Sequence, residues 1–224
     1  MTGKRALILG SAGMLGSELV RSAPSALEVS GATRAEADVT NLDSLRSCFA
    51  RSAPKIVINA AAYTAVDGAE TERAAAFAVN ACGARNVAIA CREAGARLLH
   101  VSTDFVFDGT AREPYAEWDL AESARRLRRK QTFRRARGHG RGRGLADRPH
   151  AVGLRRARKH FVGAILKAAR ERDRLTVVAD QHGCPTSTHD LAPECGELPT
   201  KAPAGSTTQA ATASAPGTSS PSRS

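Results

Sequence analysis

Short apolar blocks alternate with longer mixed stretches through the first half of the chain. Ala6-Leu7-Ile8-Leu9, flanked by Arg5 and Gly10, is too short for a helix and predicts a buried strand. A glycine turn follows, then a helix from about Met14 to Arg21 and a second strand near Leu27-Glu28-Val29-Ser30. Asn41 suits an N-cap for a helix running from Leu42 to about Arg51, which Pro54 ends. Ile56-Val57-Ile58-Asn59 predicts another buried strand. A helical stretch from about Ala69 to Glu93, broken near Gly83, leads to a strand at Leu98–Ser102. Strands alternating with helices predict a parallel sheet covered on both faces.

The pattern fails after Trp118. Residues 120–159 hold no sustained apolar period, and Arg137 to Gly144 read Arg-Gly-His-Gly-Arg-Gly-Arg-Gly. Such a stretch cannot bury enough apolar surface to offset its ordering entropy, so disorder is expected there. Order is expected to return with a helix at Phe161–Leu166 and a strand at Leu175–Val178. From about Pro193 the chain is rich in Ala, Ser, Thr and Pro and reads as a disordered tail.

A net charge of +11 over 224 residues suggests a nucleic-acid partner until its location is examined. Residues 120–159 contain 15 Lys or Arg and only two acids, Glu122 and Asp147; they carry +13 and the rest of the chain −2. Phe133 is the lone aromatic among those arginines, which argues against base stacking and a specific nucleic-acid partner. No run of consecutive apolar residues approaches the roughly 20 that a membrane span needs. The start, Met1 to Arg5 before a four-residue apolar block, is too short for a signal-peptide core, so a cytoplasmic location is expected. Cys48, Cys82, Cys91, Cys184 and Cys195 include no Cys-x-x-Cys pair and no zinc spacing; small buried thiols and no metal site are expected.

The candidate chemistry begins at Gly10, Gly13 and Gly16. This Gly-x-x-Gly-x-x-Gly lies between the first strand and the first helix. Glycine there permits a tight turn and close approach of a pyrophosphate, whose charge then sits at the helix N-terminus. Gly10, Gly13, Met14, Leu15 and Gly16 are therefore candidate cofactor-binding residues. Arg34 follows the second strand and is either a partner for the 2′-phosphate of NADP or a solvated surface residue. Asp38 and Val39 lie where adenine would be met, with a turn or cap role for Asp38 as the alternative.

Several stretches carry a more specific likeness. They are Asn59-Ala60-Ala61-Ala62-Tyr63-Thr64-Ala65-Val66-Asp67 with Glu70 and Glu72, and Val79-Asn80. His100-Val101-Ser102-Thr103-Asp104-Phe105-Val106-Phe107-Asp108-Gly109 with Pro114-Tyr115-Ala116-Glu117 is another. Asp180-Gln181-His182-Gly183-Cys184-Pro185-Thr186-Ser187 completes the set. Together they resemble the dTDP-4-dehydrorhamnose reductase family of extended short-chain dehydrogenases/reductases, over roughly residues 5–118 and 160–192. The resemblance implies a Rossmann-like doubly wound α/β fold and reduction of the C4 ketone of a dTDP-linked 6-deoxy sugar by NADPH or NADH. It implies that Ala61, Ala62, Tyr63 and Thr64 line the cofactor. It places the catalytic hydroxyl at Thr103, with Thr103 and Asp104 touching the sugar nucleotide. Tyr63 and Phe105 could alternatively be core packing, and Thr103 a plain strand-end residue. The family can be homodimeric and can use Mg2+ at a dimer contact, but no residues for that ion are recognisable.

One family element is missing. Its Tyr-x-x-x-Lys pair, which protonates the ketone oxygen and holds the ribose, is expected about a dozen residues after Tyr115. The chain there reads Leu127-Arg128-Arg129-Lys130-Gln131-Thr132, and no tyrosine follows Tyr115. Codons permitted for Ser123–Thr132, read one base later, spell Pro-Leu-Gly-Val-Tyr-Gly-Glu-Ser-Lys. Ser206–Pro221 can be decoded in the other frame into a stretch resembling the family's C-terminal region. A frame disruption after about residue 119 and again in the tail is therefore expected, and unrelated codons at Ser123–Thr132 would refute it. The expected organisation is a Rossmann domain at 1–118, a basic disordered segment at 119–159, a remnant of the disrupted substrate-binding part at 160–192, and a disordered tail at 193–224. Turnover is expected to be impaired, and a non-catalytic dinucleotide-binding or regulatory protein is the alternative function.

Overall fold

A computed structural model describes residues 4–103, 145–150, 152–154, 161–176, 185–201 and 207–208. In chain order these form β1 (Lys4–Leu9), α1 (Met14–Arg21), β2 (Leu27–Ala32), α2 (Leu42–Ser52) and β3 (Ile56–Asn59). Next come α3 (Val66–Thr71), α4 (Arg73–Phe77), a π-helical stretch (Ala78–Gly83), α5 (Ala84–Glu93) and β4 (Arg97–Thr103). Then follow β5 (Leu145–His150), β6 (Val152–Leu154), α6 (Phe161–Glu171), β7 (Pro185–Ser187), α7 (Thr188–Lys201) and β8 (Thr207–Thr208).

Alternation along the strands sorts the core into two layers. Leu7, Leu9, Val57 and Leu98 point to one face and pack on Leu45, Cys48 and Phe49 of α2 and Val87, Ala90 and Cys91 of α5. Their neighbours Ala6, Ile8, Ile56, Ile58, Leu99 and Val101 point to the other, against Leu15 and Leu19 of α1 and Leu191, Ala192 and Cys195 of α7. Both faces being covered explains why these strands are apolar throughout. Each such fully buried Leu, Ile or Val contributes about 1.5–3 kcal/mol. The sheet runs β2-β1-β3-β4-β5-β8, all parallel, with β6 and β7 as a separate parallel pair. Strand order reverses at β1, which opens a crevice at the carboxyl ends of β1 and β3.

Several expectations need correcting. The helical stretch starts at Val66 rather than Ala69, and its break lies at Glu72 (φ −96°, ψ 49°) rather than near Gly83. Gly83 keeps helical backbone (φ −59°, ψ −46°); a Cβ there would lie 2.9 Å from Val39 Cγ2, so this glycine serves close packing, not chain breaking. The 21 residues Arg73–Glu93 are long and apolar enough, by length and composition, to cross a membrane, with 44% of the window buried. Ala84, Val87, Ala90 and Cys91 give that apolar character to the core, and a core helix passes the same test.

The expected disorder of 119–159 does not hold throughout, because Leu145–His150 pairs in parallel with β4 and Val152–Leu154 with β7. The expected tail from 193 is helical to Lys201, because Leu191, Ala192 and Cys195 recur at helical spacing and fill one sheet face despite Pro193. The boundary at 192 thus falls inside α7. Leu175 and Thr176 are not strand; Val177 and Val178 lie outside the described residues, as do Asp104, Phe105 and Leu127–Thr132. Of the cysteines, Cys48, Cys91 and Cys195 are buried as expected, Cys82 is exposed, and Cys184 lies outside the described residues. Burial pushes the Cys91 thiol well above its usual range.

Candidate functional site

The turn after β1 is fixed by three glycines and the carbonyl of Ala32. Gly10 N–H and Ser11 N–H both donate to Ala32 O, at 2.9 and 3.2 Å, tying the turn to the end of β2. Gly10 has φ +76°, and a Cβ on it would meet the Ala61 backbone at 2.8 Å. Gly16 is tighter still: a Cβ there would sit 2.1 Å from Gly10 O. The loop after β3 therefore passes directly over the turn, and α1 starts directly beneath it. Gly13 is the N-cap, with no side-chain cap and no acid in the first turn of α1. The N-terminal partial positive charge of α1, beside Met14 and Leu15, is left uncancelled by the helix's own residues. An anion is what that environment favours.

The loop from Asn59 to Thr64 is held by two asparagines. Asn59, buried at the end of β3, accepts from Ala61 N–H at 3.1 Å, so its Nδ2 faces His100 Nδ1 at 3.1 Å. His100 Nδ1 must then accept, which puts the imidazole proton on Nε2. Asn80, fully buried, accepts from Tyr63 N–H at 2.9 Å and donates to Tyr63 O at 3.0 Å. Ala62 and Thr64 are exposed, and Ala61 is half-buried in the crevice. The Tyr63 ring packs on Ala69 and Ala76, and its hydroxyl donates to Glu72 Oε2 at 2.9 Å. That bond pushes the Tyr63 phenol above its ordinary value, so it is a poor stand-in for a proton donor. The packing reading of Tyr63 is thus visible in its ring, while its backbone, bound to Asn80, fixes the loop.

Asp38 accepts from Thr40 N–H and Oγ1 at 2.8 and 2.7 Å and from Arg34 Nε at 3.4 Å. Burial raises its pKa, but these hydrogen bonds outweigh that and hold the carboxyl below its usual range. Its turn role is thus visible. Val39 is buried against Gly83 in the core. Thr103 is the last residue of β4, partly exposed, on the same carboxyl edge of the sheet as Gly10 and Asn59. Among the described residues no group of three or more His, Cys, Asp or Glu side chains could hold a metal ion.

Sequence reasoning missed three supports. Asn59 and Asn80 were noticed only within a likeness; a polar residue ending an apolar strand was the signal for the first. Glu18 was not noticed. It is buried on α1, pairs with Arg21, and lies 3.3 Å from His189 Nδ1 on α7.

A doubly wound parallel sheet with a glycine-hinged, anion-receptive turn at its switch point defines a Rossmann-type dinucleotide-binding α/β protein. The family model described as "RmlD substrate binding domain" matches residues 4–125 and 151–211. The chain belongs to that family, which contains the dTDP-4-dehydrorhamnose reductases. A dTDP-4-dehydrorhamnose reductase of Streptomyces griseus is 38% identical over 210 residues, covering 90% of this chain and 67% of that protein. The crystal structure of dTDP-4-dehydrorhamnose reductase from Bacillus anthracis in complex with NADP superposes with a TM-score of 0.87 at 29% identity, over 93% of this chain and 74% of that one. That of a dTDP-4-dehydrorhamnose reductase from Clostridium acetobutylicum gives 0.85 at 30%, over 92% and 73%. The chain spans 62–67% of the length of the curated relatives it matches. The match resumes at Ala151, earlier than expected, and runs past 192; it omits 126–150, which includes Leu127–Thr132, where Tyr-x-x-x-Lys is missing.

Proposed function

We propose that this chain binds NADPH or NADH at the β1–α1 turn and belongs to an enzyme that reduces dTDP-4-dehydro-6-deoxy-L-mannose to dTDP-L-rhamnose. The observation that carries this reading is the glycine-walled, uncapped N-terminus of α1 lying under the Asn59–Thr64 loop. The residues fit a dinucleotide: Gly10 and Gly16 leave no room for a Cβ against Ala61 and Gly10 O, so the backbone turns tightly onto the bare N-terminus of α1, where a pyrophosphate can approach. Gly10, Gly13, Met14, Leu15 and Gly16 hold the pyrophosphate; Ala61, Ala62, Tyr63 and Thr64 line the ribose and phosphates. A bound reduced nicotinamide supplies the hydride. Thr103 donates a hydrogen bond to the C4 oxygen as charge builds there, and Asp104 contacts the sugar nucleotide. The homologous Bacillus anthracis crystal structure with NADP bound supports the cofactor class.

Proton delivery is the weak step. No Tyr-x-x-x-Lys stands at 127–131, and loss of general acid catalysis typically removes about 10²–10⁴ in rate. That absence favours a second reading, a chain that binds the dinucleotide without turnover. An NADPH-oxidation assay with dTDP-4-dehydro-6-deoxy-L-mannose separates them, run on this chain and on one carrying Tyr-Gly-Glu-Ser-Lys at 127–131. Turnover rising at least about 100-fold in the second supports the reductase. Binding without turnover in both supports the alternative. A cytoplasmic location, a homodimer and only nonspecific contact of the basic segment with nucleic acid go with the reductase reading.

A further inference from the structure

We infer that Glu72 is a positioning residue for the dinucleotide site: through the hydroxyl of Tyr63 it sets the shape of the Ala61–Thr64 loop over the crevice. The inference rests on the dinucleotide reading and adds to it a residue outside both the loop and the glycine turn.

Two separate features converge on the Tyr63 hydroxyl. It donates to Glu72 Oε2 at 2.9 Å. It also occupies the space that a side chain on Gly68 would need, since a Cβ there would sit 2.6 Å from Tyr63 Oη. Gly68 lies inside α3, where glycine weakens a helix, so its place there answers to the hydroxyl. A ring that served packing alone would need neither an acceptor nor that space; phenylalanine would cover Ala69 and Ala76 as well.

Glu72 is built into the joint between two helices. Its backbone (φ −96°, ψ 49°) separates α3 from α4. Its N–H donates to Gly68 O at 2.7 Å, and its carbonyl accepts from Ala76 N–H at 3.0 Å. Helix α3 has six residues and no side-chain N-cap, too little to hold itself, so the Tyr63 ring and hydroxyl help fix it. Asn80 binds the Tyr63 backbone in both directions. Tyr63 is thus clamped at its backbone by Asn80 and at its ring tip by Glu72, and the exposed neighbours Ala62 and Thr64 take their positions from it.

Topology says which part of a ligand feels this clamp. The order β2-β1-β3-β4 puts the loop after β3 on the side of the glycine turn away from β2. A dinucleotide crossing the switch point with its adenosine toward β2 meets this loop with its nicotinamide half.

The test is calorimetric titration with NADPH and, as a probe of the adenosine half, ADP. Glu72→Ala and Tyr63→Phe should each weaken NADPH about fivefold, the worth of one hydrogen bond. ADP affinity should stay unchanged, which certifies the fold and the turn. Glu72→Gln keeps an acceptor oxygen and should retain most of the NADPH affinity. The double variant Tyr63→Phe/Glu72→Ala should bind NADPH no more weakly than either single variant, because both remove the same bond. A purely structural contact would lower the melting temperature and leave the ratio of NADPH to ADP affinity as it was. That result, equal weakening of both ligands, or losses that add in the double variant overturns the positioning role and leaves the dinucleotide reading standing. Should Glu72→Ala fail to fold, Tyr63→Phe, which keeps the ring, carries the test alone. Failure of the intact chain to bind either ligand overturns both.

Discussion

Three glycines of this chain look alike in sequence and differ in what they tolerate. Gly16 has ordinary helical backbone, yet a Cβ would strike Gly10 O at 2.1 Å, so the turn must move. Gly10 combines φ +76° with Ala61 backbone at 2.8 Å. Gly95, at φ +63°, faces open space. Gly95→Ala should therefore cost only the left-handed strain, about 1 kcal/mol. Gly16→Ala should cost more, about 2–4 kcal/mol, and displace the cradle as well. Urea denaturation of both variants checks this; equal losses would mean that the contact at Gly16 is relieved cheaply. Spacing in the sequence was enough to find this turn. It could not show that Gly83, also glycine in a helical pattern, answers to Val39 across the core rather than to its own backbone. A contact between residues 44 positions apart leaves no local trace.

At the scale of elements, the Thr33–Thr40 connection is held by its acids. Hydrogen bonds from Thr33, backbone first and then hydroxyl, hold the Glu36 carboxyl below its ordinary 4.5. A lowered carboxylate contributes stability that is fully present above that ordinary value and is lost as pH falls through the lower folded value. Glu36→Gln should thus lower the melting temperature at neutral pH, and the gap from the unaltered chain should close below about pH 4.5. A gap that persists unchanged at pH 3 would contradict the assignment. Helix α7 makes a different kind of contribution. Leu191, 3% exposed, packs with Leu15, Leu19 and Cys195. Leu191→Ala should destabilise the fold by about 2–4 kcal/mol in chemical denaturation. No measurable loss would show that α7 is not part of the cooperative core. This helix was hidden in the sequence because Pro193 and Pro199 mask a short apolar triplet. The strands β1, β3 and β4 were legible because both faces are buried and their apolar runs are unbroken.

At the scale of the molecule, the sheet gathers segments far apart in the chain. β1 to β4 come from residues 4–103, while β5 and the α7 layer come from beyond residue 144. The sheet and its core are thereby not confined to residues 1–118, since β5 pairs with β4 and Leu191, Ala192 and Cys195 fill one face. The class of fold could be read from the first half alone. The substrate side could not, because the Tyr-x-x-x-Lys that would complete it is missing from the stretch after Trp118 where the apolar pattern stops. Asn59, Asn80 and Glu18 act through partners 17 to 171 residues distant, which no periodicity reveals.

The central claim is that the bare N-terminus of α1 is an anion seat for a dinucleotide. Gly13→Asp separates that role from folding. The Gly13 backbone (φ −72°, ψ 172°) suits any residue, and its added Cβ meets only Gly10 O at 3.1 Å. Aspartate is a favoured N-cap, so the helix should be as stable as before or slightly more so. Its carboxylate would occupy the seat and repel pyrophosphate. Calorimetric titration with NADPH should show binding to the unaltered chain and at least about a 100-fold weaker affinity in Gly13→Asp, with the melting temperature preserved. Unchanged affinity in a folded Gly13→Asp variant would contradict the account.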